Sequence, residues 1–474
     1  MNGKRMPQLP RLSSQRPIRR VGFISPYTGG NLGNAAIITA AIENIQKRIP
    51  GVEIVGITLN PEDTARRHGI EAFPLAQLSI PLYSLVASSS YSVVPQQSLA
   101  ASRIKRWLRR IPLPGRSKRA LRTCATEVAH IVSAARLVRR IDLLIVPGGG
   151  ALDDFWGGPW GHPWALFKWS VLSRVYKVPF AFISVGKCVL QRPLSRFLVR
   201  VALRIASYRS YRDIASKAVV QALIHAPNDP VYPDLAFSGT NRVLQNSAPL
   251  APKPDHLRIG FSPIAYCDPR SWPRKDERRF ATYVSQLAEM LKYLLHQHHR
   301  VLFFTTDGPD SAVVNDLRLT ISGMPVDSDS VEVLPASQDV SVDRFLKDTW
   351  RLDLTIASRL HGVILSHLNA TPVLAISFDP KVDAYMSAVG QKDYCLSIDH
   401  LDSKELVDRF EALACAREQV REHLRSQILQ FRRALDLQYD RVFGTTCPTS
   451  ISSDNQDQVD HVFKVLNRIS LHIN

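Results

Sequence analysis

Ser358, Arg359, Leu360, His361 and Gly362 gather in five consecutive residues the groups that anion recognition and proton transfer need. Arginine presents a planar fork that grips phosphate or carboxylate through two N–H bonds, and histidine changes charge near neutral pH. The strand-like run Leu352 to Ile356 precedes these residues, and a helically spaced stretch follows them. Ser358 is therefore expected to cap a helix whose first turn carries Arg359 and His361, and the amides of that turn add their own attraction for an anion. Gly362 then permits close backbone approach. The expected chemistry is capture of a dianion beside a general acid or base. The competing reading of His361, a capping or hydrogen-bonded core histidine, loses ground because Arg359 accompanies it at a strand end. His367, six residues on, is expected to be packed or exposed.

Three further segments carry groups of interest. Residues 207–217 (SYRSYRDIASK) place Arg209 and Arg212 at a strand end, with Asp213 and Ser216 opening a helix; such an arginine suits phosphate or carboxylate, or is simply a solvated charge. Residues 147–164 (PGGGALDDFWGGPWGHPW) hold the adjacent carboxylates Asp153 and Asp154 and the tryptophans Trp156, Trp160 and Trp164 around His162. Aromatic faces beside carboxylates suit a sugar, whose rings stack while its hydroxyls donate; equally, the tryptophans pack the next helix. The loop Gly29 to Asn34 (GGNLGN) departs from GxGxxG, so no dinucleotide fingerprint is present. Its amides could hold an anion or a sugar hydroxyl, but a tight turn needing positive φ is the preferred reading.

The elements that position these residues alternate. Val21 to Ser25, Val52 to Leu59, Ile141 to Val146, Phe180 to Val185 and Ala206 to Tyr211 read as strands, with helical spacing at Ala35 to Arg48 and in the stretch closed by Arg139. Continuous Val, Ile and Leu runs indicate strands covered on both faces, hence a parallel sheet. After a Pro-rich linker at Pro249 to Pro254 the alternation restarts at Leu257 to Ser262, with a long helix over Glu277 to His298. Strands are then expected at Val301 to Thr306, Val331 to Leu334, Leu352 to Ile356, Val373 to Ser377 and Tyr394 to Ile398, and helix from Asp402 to about Phe443. The fold class expected is α/β: two tandem doubly wound Rossmann-like domains of the GT-B-like kind, ligands binding in a cleft between them, and a helical C-terminal tail. The boundaries expected are a basic arm at 1–19, an N-terminal domain at 20–248 with an insertion at about 80–122, a C-terminal domain at 255–400, and a helical segment at 401–474.

Taken in order, GNLGNAAI, LLIVPGGGALDDF, YRD with a following Ser, VYPDLAF and SRLHGVILSHLNATPVLAI resemble the polysaccharide pyruvyl transferases, from about Val21 to about Gly390. SRLHG is the most specific piece. The resemblance implies a GT-B-like enzyme that uses phosphoenolpyruvate as donor, needs no cofactor and no metal, and installs a pyruvate ketal on two hydroxyls of a sugar residue. Carried over by motif, Arg212 and Arg359 would bind the phosphate and carboxylate of phosphoenolpyruvate, Leu360 would assist through its backbone, and His361 would be the acid/base residue. The first domain would take the acceptor, with Asn31, Asn34, Asp153, Asp154 and Trp156 as its candidate contacts, and the second the donor. Two features depart from the family pattern: Asn34 stands where Asp is usual, and SVGKCVLQ (184–191) replaces a loop richer in Gly and Gln. Both bear on acceptor identity more than on donor chemistry.

The chain has 474 residues and a formal net charge of +18. Residues 1–20 hold six Lys or Arg and residues 72–126 nine, neither stretch with an acid, so together they supply 15 of the net charges and leave +3 for the rest. Within Ser102 to Ile111, Ile104, Trp107, Leu108 and Ile111 fall on one helical stripe and Lys105, Arg106, Arg109 and Arg110 on the other. That pattern fits either an interfacial helix on an anionic membrane, met through Arg103 to Arg122, or a solvated insertion packed on the sheet. The near-neutral remainder, without an RNA or DNA motif, argues against nucleic acid as partner. Six scattered cysteines without a CxxC pair argue against a metal site and for reduced thiols. No signal sequence or membrane-spanning run is read, so the location expected is cytoplasmic or peripheral on the inner face of the membrane, where a lipid-linked oligosaccharide would be the acceptor. The readings that compete with pyruvyl transfer are a GT-B glycosyltransferase using a nucleotide sugar and an inactive relative that binds membranes or anions.

Overall fold

The computed structural model describes residues 17–27, 29–76, 115–154, 157–186, 190–239, 256–323 and 330–443. They form two compact units, one made of the described residues within 17–27, 41–235 and 434–443, the other of those within 29–40 and 236–433. Two of the crossings between units fall inside α-helices, at residues 40–41 and 433–434.

The first unit has a six-stranded parallel sheet: β1 (Arg20–Ser25), β2 (Glu53–Thr58), β3 (Glu71–Pro74), β4 (Leu143–Pro147), β5 (Phe180–Val185) and β6 (Tyr208–Tyr211), in the order β3-β2-β1-β4-β5-β6. Helices α1 (Leu32–Arg48), α2 (Pro61–His68), α3 (Gly115–Val138), α4 (His162–Val175), α5 (Pro193–Ile205) and α6 (Ile214–Gln221) connect them. Every residue of β4 and β5 is buried, as continuous apolar runs require when helices cover both faces. The core centres on Phe180, Phe182, Trp169, Leu144 and Val146.

In the second unit β7 (Arg258–Ser262), β8 (Arg300–Phe303), β9 (Val331–Val333), β10 (Leu354–Ala357), β11 (Val373–Ser377) and β12 (Cys395–Ser397) form a parallel sheet ordered β12-β11-β10-β7-β8-β9. Helices α7 (Glu277–His296), α8 (Ser311–Thr320), α9 (Val342–Thr349), α10 (Leu360–Leu368), α11 (Pro380–Ala388) and α12 (Ser403–Phe443) complete the described elements. Numbered from its own first strand, this sheet repeats the order of the first one. Each therefore reverses direction once, between β1 and β4 and between β7 and β10, the places where a doubly wound sheet opens a crevice at its carboxyl edge.

Local sequence sets the helix starts. Asp213, Asp276, Ser341 and Asp379 each accept a backbone N–H of the following first turn. The 41-residue α12 serves each unit with a different portion. Leu406, Phe410 and Leu413 enter the second core, whereas Asp436 and Asp440 clamp Arg48 at 2.9 and 2.7 Å in the first unit.

Three elements depart from expectation. Strand β3 was not read from the sequence, because EAFP is a short edge strand with no continuous apolar run. The strand expected over Ala206 to Tyr211 begins only at Tyr208, since Ser207 turns to bond the Phe180 carbonyl through its own N–H. Helix α3 starts at Gly115, so residues 116–122 belong to the helix that leads into β4. The amphipathic stretch 102–111 and the arm up to residue 16 lie outside the described residues.

Candidate active site

In the second unit, the segment that follows β10 runs alongside the end of β7, with Ser358 donating its N–H to the Ser262 carbonyl at 3.1 Å. This is the crevice position of the sheet. Ser358 does not cap α10: its buried hydroxyl shares a 2.8 Å bond with the Tyr283 hydroxyl, which also accepts the Ile264 N–H. Arg359 takes the N-cap place with extended backbone (φ −83°, ψ 138°), and Leu360 opens the helix.

Arg359 is held from below by two acids of the β8–α8 turn. Its Nε and Nη2 grip the carboxylate of Asp310, the latter at 2.9 Å, and Nη1 lies 3.1 Å from Asp307. Asp310 is fully buried and also accepts the Ala265 N–H at 2.9 Å. Burial opposes the guanidinium charge, but Asp310 and Asp307 outweigh it and push the Arg359 pKa still higher. Burial conversely pushes the Asp310 carboxyl up, and Arg359 only partly offsets this. The pair is ionised, since three N–H donors converge on one carboxylate. These contacts leave two guanidinium hydrogens, one on each terminal nitrogen, for a ligand.

His361 lies against the start of α1. A β-carbon placed on Gly33 would come within 2.0 Å of His361 Cγ and 2.2 Å of its Nδ1, so only glycine admits the ring there. The glycine loop is fastened around it: Leu32 N–H bonds the Thr306 carbonyl at 2.9 Å, Ser337 donates to the Gly30 carbonyl at 2.5 Å, and Gly29 and Gly30 have φ of 90° and 66°. Asn31 caps α1 by accepting the Asn34 N–H at 2.9 Å. Asn31 and Asn34 thus flank the glycine on which His361 rests. His367 is fully buried and paired with the Tyr385 hydroxyl at 2.8 Å; burial drops its pKa to about 3, so it is a packed, neutral residue.

In the first unit, Arg212 follows β6 and folds back over Gly186 at the end of β5. A β-carbon on Gly186 would meet Arg212 Nη2 at 2.6 Å and the Gly149 carbonyl at 3.2 Å. Asp234, buried in the VYPDLAF segment, accepts from Nη1 at 3.2 Å, and Asp213 lies 3.5 Å from Nε. Arg212 is therefore held at the carboxyl ends of β5 and β6. Arg209 instead pairs with Asp229 at 2.8 Å and caps carbonyls of Leu203 and Ala206, which makes it structural.

Asp154 receives the backbone N–H groups of Gln191 and Arg192 at 3.1 and 2.9 Å and so braces the entry to α5. Asp153 stands 3.6 Å from His162 Nδ1. Trp164 donates to Glu127, which also binds Lys168, and Lys168 meets His130 at 3.0 Å. Trp164 therefore packs the helices, while Trp160 is 55% exposed. Trp156 lies outside the described residues. No cluster of three or more metal-ligating side chains occurs among the described residues.

The family model for polysaccharide pyruvyl transferase matches residues 31–380, well over half of the chain, and takes in Arg212, Arg359 and His361. The chain belongs to the polysaccharide pyruvyl transferase family. This makes it a transferase directed to polysaccharide, on a GT-B-like fold. Among solved structures it is similar to a glycosyltransferase from Rickettsia africae, at a TM-score of 0.51 and 10% identity over 91% of this chain and 100% of that one. A UDP-N-acetylglucosamine 2-epimerase gives 0.50 and 10% over 92% and 99%. Among curated protein sequences none matches significantly.

Three contacts of these side chains escaped the sequence reading: Asp310 at Arg359 and Gly33 at His361 in the second unit, and Asp234 at Arg212 in the first. Asp307 and Asp310 do carry a local signal, two carboxylates straight after a strand. Nothing local tells which arginine, 49 residues away, they hold.

Proposed function

We propose that this protein transfers the pyruvyl group of phosphoenolpyruvate to a sugar residue of a surface polysaccharide or its lipid-linked precursor, forming a pyruvate ketal and releasing phosphate. The observation that carries the reading is the seating of Arg359 on Asp310 with His361 two residues on, at the crevice of the second sheet. Arg359 and Arg212 offer N–H donors to the phosphate and carboxylate of the donor, and the helix-start amide of Leu360 adds to them. His361 moves protons. One hydroxyl of the sugar adds to C2 of the enol as C3 gains a proton; the second hydroxyl then displaces phosphate from C2 and closes the ketal. The proton of the first hydroxyl is balanced by that placed on C3, and the proton of the second leaves with phosphate. No hydride moves. Asn31 and Asn34, Asp153, Asp154 and Trp156 remain the proposed acceptor side, Asp154 through the loop it braces rather than by direct contact.

Calorimetric titration with phosphoenolpyruvate tests the donor assignment. Arg359→Ala and Arg212→Ala should each weaken binding by a hundredfold or more with the fold intact, the loss expected for a charge-assisted pair. Unchanged affinity in both, or saturable binding of a UDP-sugar in place of phosphoenolpyruvate, overturns it.

A further inference from the structure

Helix α5 presents an outer face that the chemistry above does not use. Ser195, Leu198, Val199, Ala202 and Leu203 are buried against the sheet, and the opposite side carries Phe197 at its centre, 54% exposed, with Leu194 at 42%. Arg196, Arg200 and Arg204 recur every fourth residue around Phe197, and Arg192 precedes the helix. Trp160, 55% exposed, belongs to a 3₁₀ turn that packs on α5: a β-carbon on Gly158 would come within 2.6 Å of Arg192 Nη1. Among the described residues, none of Arg192, Arg196, Arg200 and Arg204 is ion-paired to a carboxylate. Residues 155–212 contain ten Lys or Arg and no Asp or Glu, so any acidic partner must come from elsewhere in the chain, as Asp229 and Asp234 do for Arg209 and Arg212. The whole-chain count conceals this third acid-free stretch, because acids elsewhere offset it.

We infer that the face formed by Trp160, Leu194, Phe197 and the surrounding arginines docks on an anionic bilayer. Exposed aromatic and aliphatic side chains ringed by arginine match the headgroup boundary, where rings insert and guanidinium groups meet lipid phosphates. A protein partner would need acids of its own to match an arginine ring without counter-charges, whereas an anionic membrane supplies them everywhere. The N-terminal end of α5 follows β5 and so lies at the carboxyl edge of the first sheet, where Arg212 packs on Gly186. Use of this face to reach a lipid-linked acceptor rests on the function proposed above; vesicle binding does not.

The test is co-sedimentation of the full chain with vesicles of phosphatidylglycerol and phosphatidylcholine in 0.1 M salt, against phosphatidylcholine alone. The parent should bind the anionic vesicles with a salt-sensitive affinity, and Trp160→Ala, Phe197→Ala and Arg204→Gln combined should weaken it at least tenfold. Trp160→Phe should remove most of the fluorescence change on binding. Equal binding by the triple variant, as would follow if residues 102–119 alone held the membrane, overturns the proposal. So does binding indifferent to lipid charge, or loss of a dimer without any vesicle binding, which would assign the face to a second copy. Turnover of a soluble glycan should be unaltered in Phe197→Ala and Arg204→Gln combined, so failure here is separable from failure of the pyruvyl transfer reading.

Discussion

Asp310 governs what Arg359 can do. A long, otherwise mobile side chain becomes a fixed pair of donors because a fully buried carboxylate holds its fork and a backbone amide holds that carboxylate. Asp310→Asn should therefore raise the donor KM and lower kcat/KM at least tenfold, with Arg359→Lys losing at least as much since an ammonium cannot reproduce the fork. Steady-state kinetics against unchanged circular dichroism checks both, and near-normal kcat/KM in either contradicts the assignment. His361→Ala should abolish turnover without weakening donor binding comparably. At this scale the placement of Arg359 and His361 just after a strand was legible, because the apolar run before them and the helical spacing after them mark it. Their supports were not: Asp310, Tyr283 and Gly33 act through contacts between distant stretches of chain, and spacing within one stretch carries no trace of them.

Among the elements, the start of α1 and the entry to α5 do the positioning. Gly33→Ala places a methyl group where the His361 ring lies, so the ring or the helix must shift by ångströms. Activity should fall at least tenfold while the helix itself gains propensity. Asp154→Ala should strip two N–H groups of their acceptor and destabilise the first unit by about 1–3 kcal/mol, seen as a lower Tm. An unchanged Tm would show the brace to be idle. Strand and helix order was readable because fully buried strands such as Phe180–Val185 and Val373–Ser377 have unbroken apolar runs. Edge strand β3 and the extra turn at Ser207 were not, since neither their burial nor their polarity marks them. The expected cap at Ser358 failed for a related reason: a buried tyrosine hydroxyl competes for the serine.

Across the whole molecule, charge and burial decide the response to pH. His130 and His367 are buried and neutral; burial, joined at His130 by the Lys168 ammonium, lowers their pKa values from 6.5 to about 4 and about 3. The unfolded chain therefore protonates first on acidification. The stability these two residues lend is complete above pH 6.5 and is lost as pH falls toward 3, each adding up to about 1.4 kcal/mol per pH unit. Urea denaturation between pH 7 and 5 should show this fall, and His367→Gln should flatten it; equal slopes would contradict the burial argument. No described helix is long and apolar enough to cross a membrane. The net charge of +18 first draws attention to residues 1–20 and 72–126, whereas the face proposed above for anionic lipid lies on α5 in the first unit.

The central claim is pyruvyl transfer to a glycan. Incubation of the full chain with phosphoenolpyruvate and a panel of bacterial surface glycans, with phosphate release and product mass followed together, tests it most directly. The account predicts one phosphate for each pyruvate ketal found on a sugar residue, dependent on both substrates and lost in His361→Ala. Phosphate released without glycan, no ketal across the panel with folded protein, or transfer of a sugar from a nucleotide donor would contradict it.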